Sequence, residues 1–306
     1  MKNSVLFATI AALTAQIIFG FSFMFTKISI DITSPLTVIA NRYMVAFIGL
    51  TVVMLVKRIK IKYKKDIKKL VLMSFFQPVL YFLFESYGIQ ATTSGFSSVM
   101  ISLIPIVSML SGIIFLKEIP SLMQYFFTLL SVLGVVVMAI SGKMDGTVTI
   151  WGIILLFGAV ISSVGYNTLS RKISKEFTAF ERTYAMTVIG LVVFVLIAFV
   201  ENINTPLNLV IHFSNLSYLV SVTYLGIFSS VIAFLLLNYA NTYLPVAKTT
   251  VFSNITTVVS LVAGILFLNE KCGIQMIVAS VMIIIGVWGV QVLNVKNNKR
   301  ECKKSS

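Results

Sequence analysis

Histidine, cysteine and acidic residues are all scarce in this chain. Its 306 residues include one His, two Cys and 10 Asp or Glu. A single histidine, His212, cannot build a centre of several imidazole and thiolate ligands, so no metal site is expected. Two cysteines, Cys272 and Cys302, are too few to staple a small secreted scaffold. Charge of any sign is thin, at 11% of residues against about 25% in a soluble domain. There is no G-x-x-x-x-G-K-[ST] loop and no polar stretch long enough to carry one. No cofactor and no direct use of ATP are therefore expected. No nucleophile–base pair assembles either, so the chain is not read as an enzyme.

What fills the chain instead is apolar. Hydrophobic residues make up 58% of it and mean hydropathy is +0.99. They run in continuous blocks without the alternation of a lipid-facing β-barrel. A span needs about 20 apolar residues to cross about 30 Å of hydrocarbon. Ten such spans are predicted, near 4–26, 35–56, 70–90, 95–116, 120–141, 149–170, 183–200, 216–240, 245–268 and 273–294. The fold class is an all-α polytopic membrane protein. The first span is too long for a signal-peptide core and is kept as a permanent helix.

The bases orient the spans. Only Lys27, Arg42, Lys143 and Lys271 of the 24 Lys and Arg fall outside segments that share one side. The positive-inside rule then puts both termini in the cytoplasm. This layout accounts for the formal charge of +14 without nucleic acid. The segment KRIKIKYKKDIKK (57–69) is expected to contact anionic lipid headgroups.

The chain repeats itself. A shift of 152 residues lays VSMLSGIIFLKE (107–118) on VSLVAGILFLNE (259–270), with seven identities in twelve positions. Gly134 and Val135 then meet Gly286 and Val287, and Tyr87 meets Tyr239. Nearer each start, GFSFMFTKIS (20–29) matches GYNTLSRKIS (165–174) at a shift of 145. Five spans per half is an odd number, so the halves cross the membrane in opposite senses. Inverted repeats of this kind build many secondary transporters, with the substrate held near the midplane between halves.

Two five-helix halves, each with a G-[IV]-x-F-L-x-E block before its last span, resemble the drug/metabolite transporter superfamily and, within it, the EamA-type transporters. The Pro35…Arg42 spacing and Pro105 in the fourth span fit the same resemblance. It implies EamA-like repeats at 1–142 and 148–295, followed by a basic cytoplasmic tail at 296–306. It also implies a multi-pass protein of the bacterial cytoplasmic membrane that exports amino acids, other metabolites or drugs. One departure stands out: the second half has Thr257 where the first has Pro105.

Ionisable groups inside a bilayer are costly and mark functional candidates. Arg42 and Glu85 lie at comparable depth on the outer side, where they are expected to pair or to share a polar cavity. One reading is a structural ion pair. The other is a proton site at Glu85, because burial favours a neutral carboxyl while a nearby guanidinium favours the ionised one. Arg42 also suits a substrate carboxylate. The substrate path is expected along the fourth and ninth spans, where Ser98, Ser102, Pro105 and Gly112 recur as Thr250, Asn254, Thr257 and Gly264. Lys248, opening the ninth span, is an interfacial anchor or a cytoplasmic gate. The function expected is alternating-access secondary transport. Its rivals are an uncoupled facilitator or channel and, more remotely, a membrane receptor.

Overall fold

A computed structural model describes residues 2–59, 61, 66–108, 121–144, 148–244, 249, 252–269 and 273–304. Among them are ten main helical stretches, two single-turn 3-10 helices (Pro206–Leu209 and Ile211–Ser214) and no strand. In the first half these are α1 (Lys2–Ile30), α2 (Pro35–Val56), α3 (Ile67–Gln90), α4 (Ser94–Ser108) and α5 (Leu122–Met144). The second half holds α6 (Ile150–Ile173), α7 (Ala179–Glu201), α8 (Leu216–Tyr243), α9 (Ser253–Leu268) and α10 (Ile274–Lys304). Six of them, α1, α2, α3, α6, α7 and α8, are long and apolar enough to cross a membrane. The other four contribute shorter apolar helices. The bases of the 296–306 tail continue α10 as far as Lys304.

Polar side chains start the helices where bare N–H groups would be costly. Ser34 accepts from Thr37 N ahead of Pro35, Thr93 accepts from Phe96 N, and Thr149 accepts from Gly152 N. Thr178 and Glu181 form a capping box that starts α7 at Ala179, four residues before the span read from hydropathy. That early start takes Arg182 out of the connecting loop, where its charge had placed it, and puts it in the first turn of a helix.

The larger helix pairings are matched under exchange of the two halves. The α1–α9 contact has its counterpart in α6–α4, α1–α8 in α6–α3, and α2–α8 in α7–α3. The α2–α7, α4–α9 and α5–α10 pairs map onto themselves. A pseudo-two-fold axis therefore runs through the molecule. Residues related by 152 positions meet on it: Ser131 Oγ donates to Ile283 O at 3.2 Å, and Phe82 and Phe234 touch edge-on at 6.2 Å between centroids.

The α5–α10 crossing is reciprocal. A Cβ on Gly134 would meet Ile283 Cγ1 at 2.8 Å and Ala279 O at 2.9 Å. A Cβ on Gly286 would meet Phe127 O at 2.5 Å and the Ser131 side chain. Phe127 and Ser131 are the 152-residue mates of Ala279 and Ile283, so each glycine admits the same turn of the opposite helix.

At the basic end, Lys69 reaches Glu176 at 2.8 Å and Asp66 at 2.9 Å. The ammonium holds the exposed Asp66 carboxyl below the usual carboxylate range, by its hydrogen bond first and its charge second.

Candidate functional site

The axis passes through a cavity of ≈ 60 Å³, room for a few waters. Its walls come from α1, α2, α3, α4, α6, α8 and α9, together with Thr249. Many lining positions are paired by the repeat. Phe82 faces Phe234, Glu85 corresponds to Leu237, Ile101 to Ser253, Ile104 to Thr256 and, at the 145-residue shift, Ser22 to Asn167. The positions match but the chemistry does not. Carboxylate stands against leucine, and isoleucines stand against hydroxyls.

Non-helical backbone at membrane depth is tolerated where it lines a cavity or is buried in protein. Here α3 is interrupted by a π-helical stretch, Phe75–Leu80, and α8 by Tyr224–Ala233, in corresponding places. Gln77, at φ −146° and ψ 114°, leaves the helix and lines the cavity. Its 152-residue mate is Ser229, which binds Arg42.

Arg42 is 2% exposed. Its Nε donates to Ser230 Oγ at 2.6 Å and its Nη2 to Ser229 Oγ at 2.8 Å. The guanidinium carbon stands 4.0 Å from the centre of the Phe82 ring, a cation–π arrangement. Glu85, 4% exposed, accepts from Tyr81 Oη at 2.8 Å through Oε1. The two charged groups line the same cavity without forming a direct ion pair. Arg42 Nη1 and Glu85 Oε2 carry no hydrogen bond to the described residues.

On α4 and α9 the cavity wall lies one position from the polar stripe read in the sequence. Ile101 and Ile104 line it from α4, and Ser253 and Thr256 from α9. Ser98 and Ser102 are buried between helices and donate back to Gly95 O and Val99 O. Thr257 Oγ1 donates across to Ser98 O at 3.1 Å. Pro105 is buried beyond a turn at Ser102 and Leu103. There Leu103 N bonds to Met100 O, three residues back, and proline's missing N–H keeps the helix from closing normally. Lys248 and Thr250 lie outside the described residues, as does the side chain of Asn254.

Several lining residues escaped the sequence reading: Gln77, Ser163, Thr249, Ser253, Thr256 and the aromatic set Phe19, Phe23, Phe82 and Phe234. Gln16 and Asn167 reach the cavity as well. Gln16 Oε1 accepts from Thr256 Oγ1 at 2.7 Å. Asn167 belongs to a buried knot in which Asn241 donates to its Oδ1 and accepts from Thr249.

A second buried arginine sits toward the basic end. Arg182 Nη1 donates to Ser170 O and Oγ, and Nη2 to Asn238 O and Thr242 Oγ1. Asn238 in turn accepts from Tyr166 and Ser170 and donates to Thr183. All these polar groups are matched, which suits a structural brace joining α6, α7 and α8.

Apolar helices wrapped around a charged cavity on an inverted-repeat axis define a membrane transporter. The EamA-like transporter family model matches residues 6–140 and again 150–292, one match per half. The chain belongs to that family. It is similar to the protein named "Uncharacterized transporter YcxC" of Bacillus subtilis (strain 168), at 32% identity over 96% of this chain and 95% of that one. A protein of Archaeoglobus fulgidus named "Uncharacterized transporter" is 26% identical over 88% and 93% of the two chains. One crystal structure shares the fold, with a TM-score of 0.65 at 15% identity, covering 94% of this chain and 98% of its own.

Proposed function

We propose that the protein is a secondary-active exporter of amino acids or related small metabolites, working by alternating access in a bacterial cytoplasmic membrane. In this reading ten helices span the bilayer with both termini inside. The 57–69 segment lies against anionic headgroups.

The observation that carries the reading is the pair of open charged valences in one cavity. Arg42 Nη1 offers a donor to a carboxylate, and Glu85 Oε2 offers an acceptor to an ammonium. A zwitterion satisfies both, and its apolar remainder fits against Phe19, Phe23, Phe234 and Ile104. At ≈ 60 Å³ the cavity is smaller than a typical ligand site of about 300–1,000 Å³. Loading therefore requires the halves to part, as alternating access does. Proton coupling follows if Glu85 takes up a proton when the cavity faces outward, losing its hold on the ammonium, and gives it up when the cavity faces inward.

The test is flux in proteoliposomes loaded with mixed amino acids under an imposed proton gradient, comparing the parent protein with Glu85→Gln. The reading expects uphill movement of a solute in the parent and at most downhill movement in the variant. Equal uphill movement in both removes Glu85 from coupling. Only downhill movement, alike in both, makes the protein a facilitator.

A further inference from the structure

The α4–α9 contact holds a pair of hydrogen bonds to which the transport reading assigns nothing. Thr257 Oγ1 donates to Ser98 O at 3.1 Å, and Ser260 Oγ donates to Ser94 O at 3.2 Å. Both hydroxyls are fully buried. Each skips the carbonyl of its own helix and reaches the facing one. The cavity-lining Ile101 lies one turn further along α4 from Ser98, and Ser253 and Thr256 precede Thr257 on α9. The two bonds therefore cross between the cavity and the end of the molecule opposite the basic segments.

Exchanging the halves should build the same fastening toward the basic end, with α4 as donor. Thr257 then becomes Pro105 and Ser260 becomes Ser108. Proline has no hydroxyl to give. The inverted copy keeps at most one of the two donors, and α4 is interrupted by a turn immediately before that position. At the Thr257 position the two ends of the α4–α9 contact are thus unlike.

We propose that Thr257 and Ser260 form an outer clasp that holds the cavity shut on the side away from the basic loops. The Thr257/Pro105 inequality then sets the resting protein to open toward the cytoplasm. The inference rests on the transporter reading and adds to it which way the empty carrier faces. The two residues are positioning groups, since neither lines the cavity.

The test reads sidedness directly. The full chain, with Cys272→Ser and Cys302→Ser, carries Ile101→Cys as a reporter in the cavity wall. A membrane-impermeant maleimide is added from the side opposite the basic loops. One inter-helix hydrogen bond of this kind is worth about a three- to tenfold shift in an open–closed ratio. Thr257→Val and Ser260→Ala are each expected to raise the outer labelling rate by about that factor, and together by more. Thr257→Ser, which keeps the donor, should label at the parent rate.

A second reporter, Ala159→Cys, sits in a packed position of α6 outside the cavity wall. Its rate should not move. Unchanged labelling at position 101 in the double variant overturns the clasp. So does an equal rise at both reporters, which would mean only loosened packing. Flux measured on the same preparations separates the two claims. Altered labelling with no solute moved leaves the clasp standing and counts against transport, whereas intact flux with unaltered labelling does the reverse.

Discussion

Two arginines show how differently one side chain can be used when no carboxylate sits beside it. Arg42 is held by two serine hydroxyls and a ring face, with a donor left toward the cavity. Arg182 spends its donors on four acceptors from α6 and α8 and on Thr178 O ahead of its own helix. Cutting Arg182 to Ala strands those acceptors in a buried place. A loss of roughly 2–3 kcal/mol is expected, read as a lower unfolding temperature in detergent. Arg42 was visible in the sequence because it interrupts an apolar run. Arg182 was not, because it follows closely on the loop bases Arg171, Lys172 and Lys175, and only the capping box reveals that the helix has already begun.

Helix by helix, the internal repeat was a better guide to packing than to the cavity. The Ser98/Ser102/Pro105 stripe and its mates drew attention because both halves carry small or polar groups there. The described members of that stripe pack between helices. The cavity wall is the neighbouring stripe, where the halves disagree: Ile101 and Ile104 against Ser253 and Thr256. A comparison looking for likeness passes over such positions, although their difference is what gives the cavity unlike walls. The break in α3 at Gln77 was equally hard to foresee, since Pro78 sits within an otherwise regular apolar run.

The α5–α10 crossing gives a prediction at this same scale. Gly286→Ala drives a methyl toward Phe127 O and the Ser131 side chain, and backbone does not yield as a flexible side chain would. Overpacking of about 1–3 kcal/mol is expected, seen as a lower melting temperature. Gly273→Ala, where a Cβ meets nothing within 4 Å, is the neutral comparison.

For the whole molecule, hydropathy and the repeat made the all-helical, two-half architecture legible, and the inverted sense followed from five spans per half. What no sequence comparison could supply was the axis itself, made physical by Phe82 on Phe234 and Ser131 on Ile283. The proposed orientation is open to a simple check. Thiol tags placed one at a time in the 57–69 segment and after Ser306 should react with an impermeant reagent only in inside-out vesicles. A tag at Asn208, in the connection between α7 and α8, should react only in right-side-out ones. Labelling of the 57–69 tag and the Asn208 tag from the same side would refute the orientation.

The pairing of α5 with α10 also has a consequence for biosynthesis. Among the described residues these helices pack chiefly on each other, yet 129 residues separate Met144 from Ile274. At roughly 5–20 residues per second, the ribosome needs on the order of 6–26 s to make that interval. Throughout it, the Ser131–Gly134 face of α5 waits uncovered. The first half is thus made long before it is finished, and its last surface is completed only by α10.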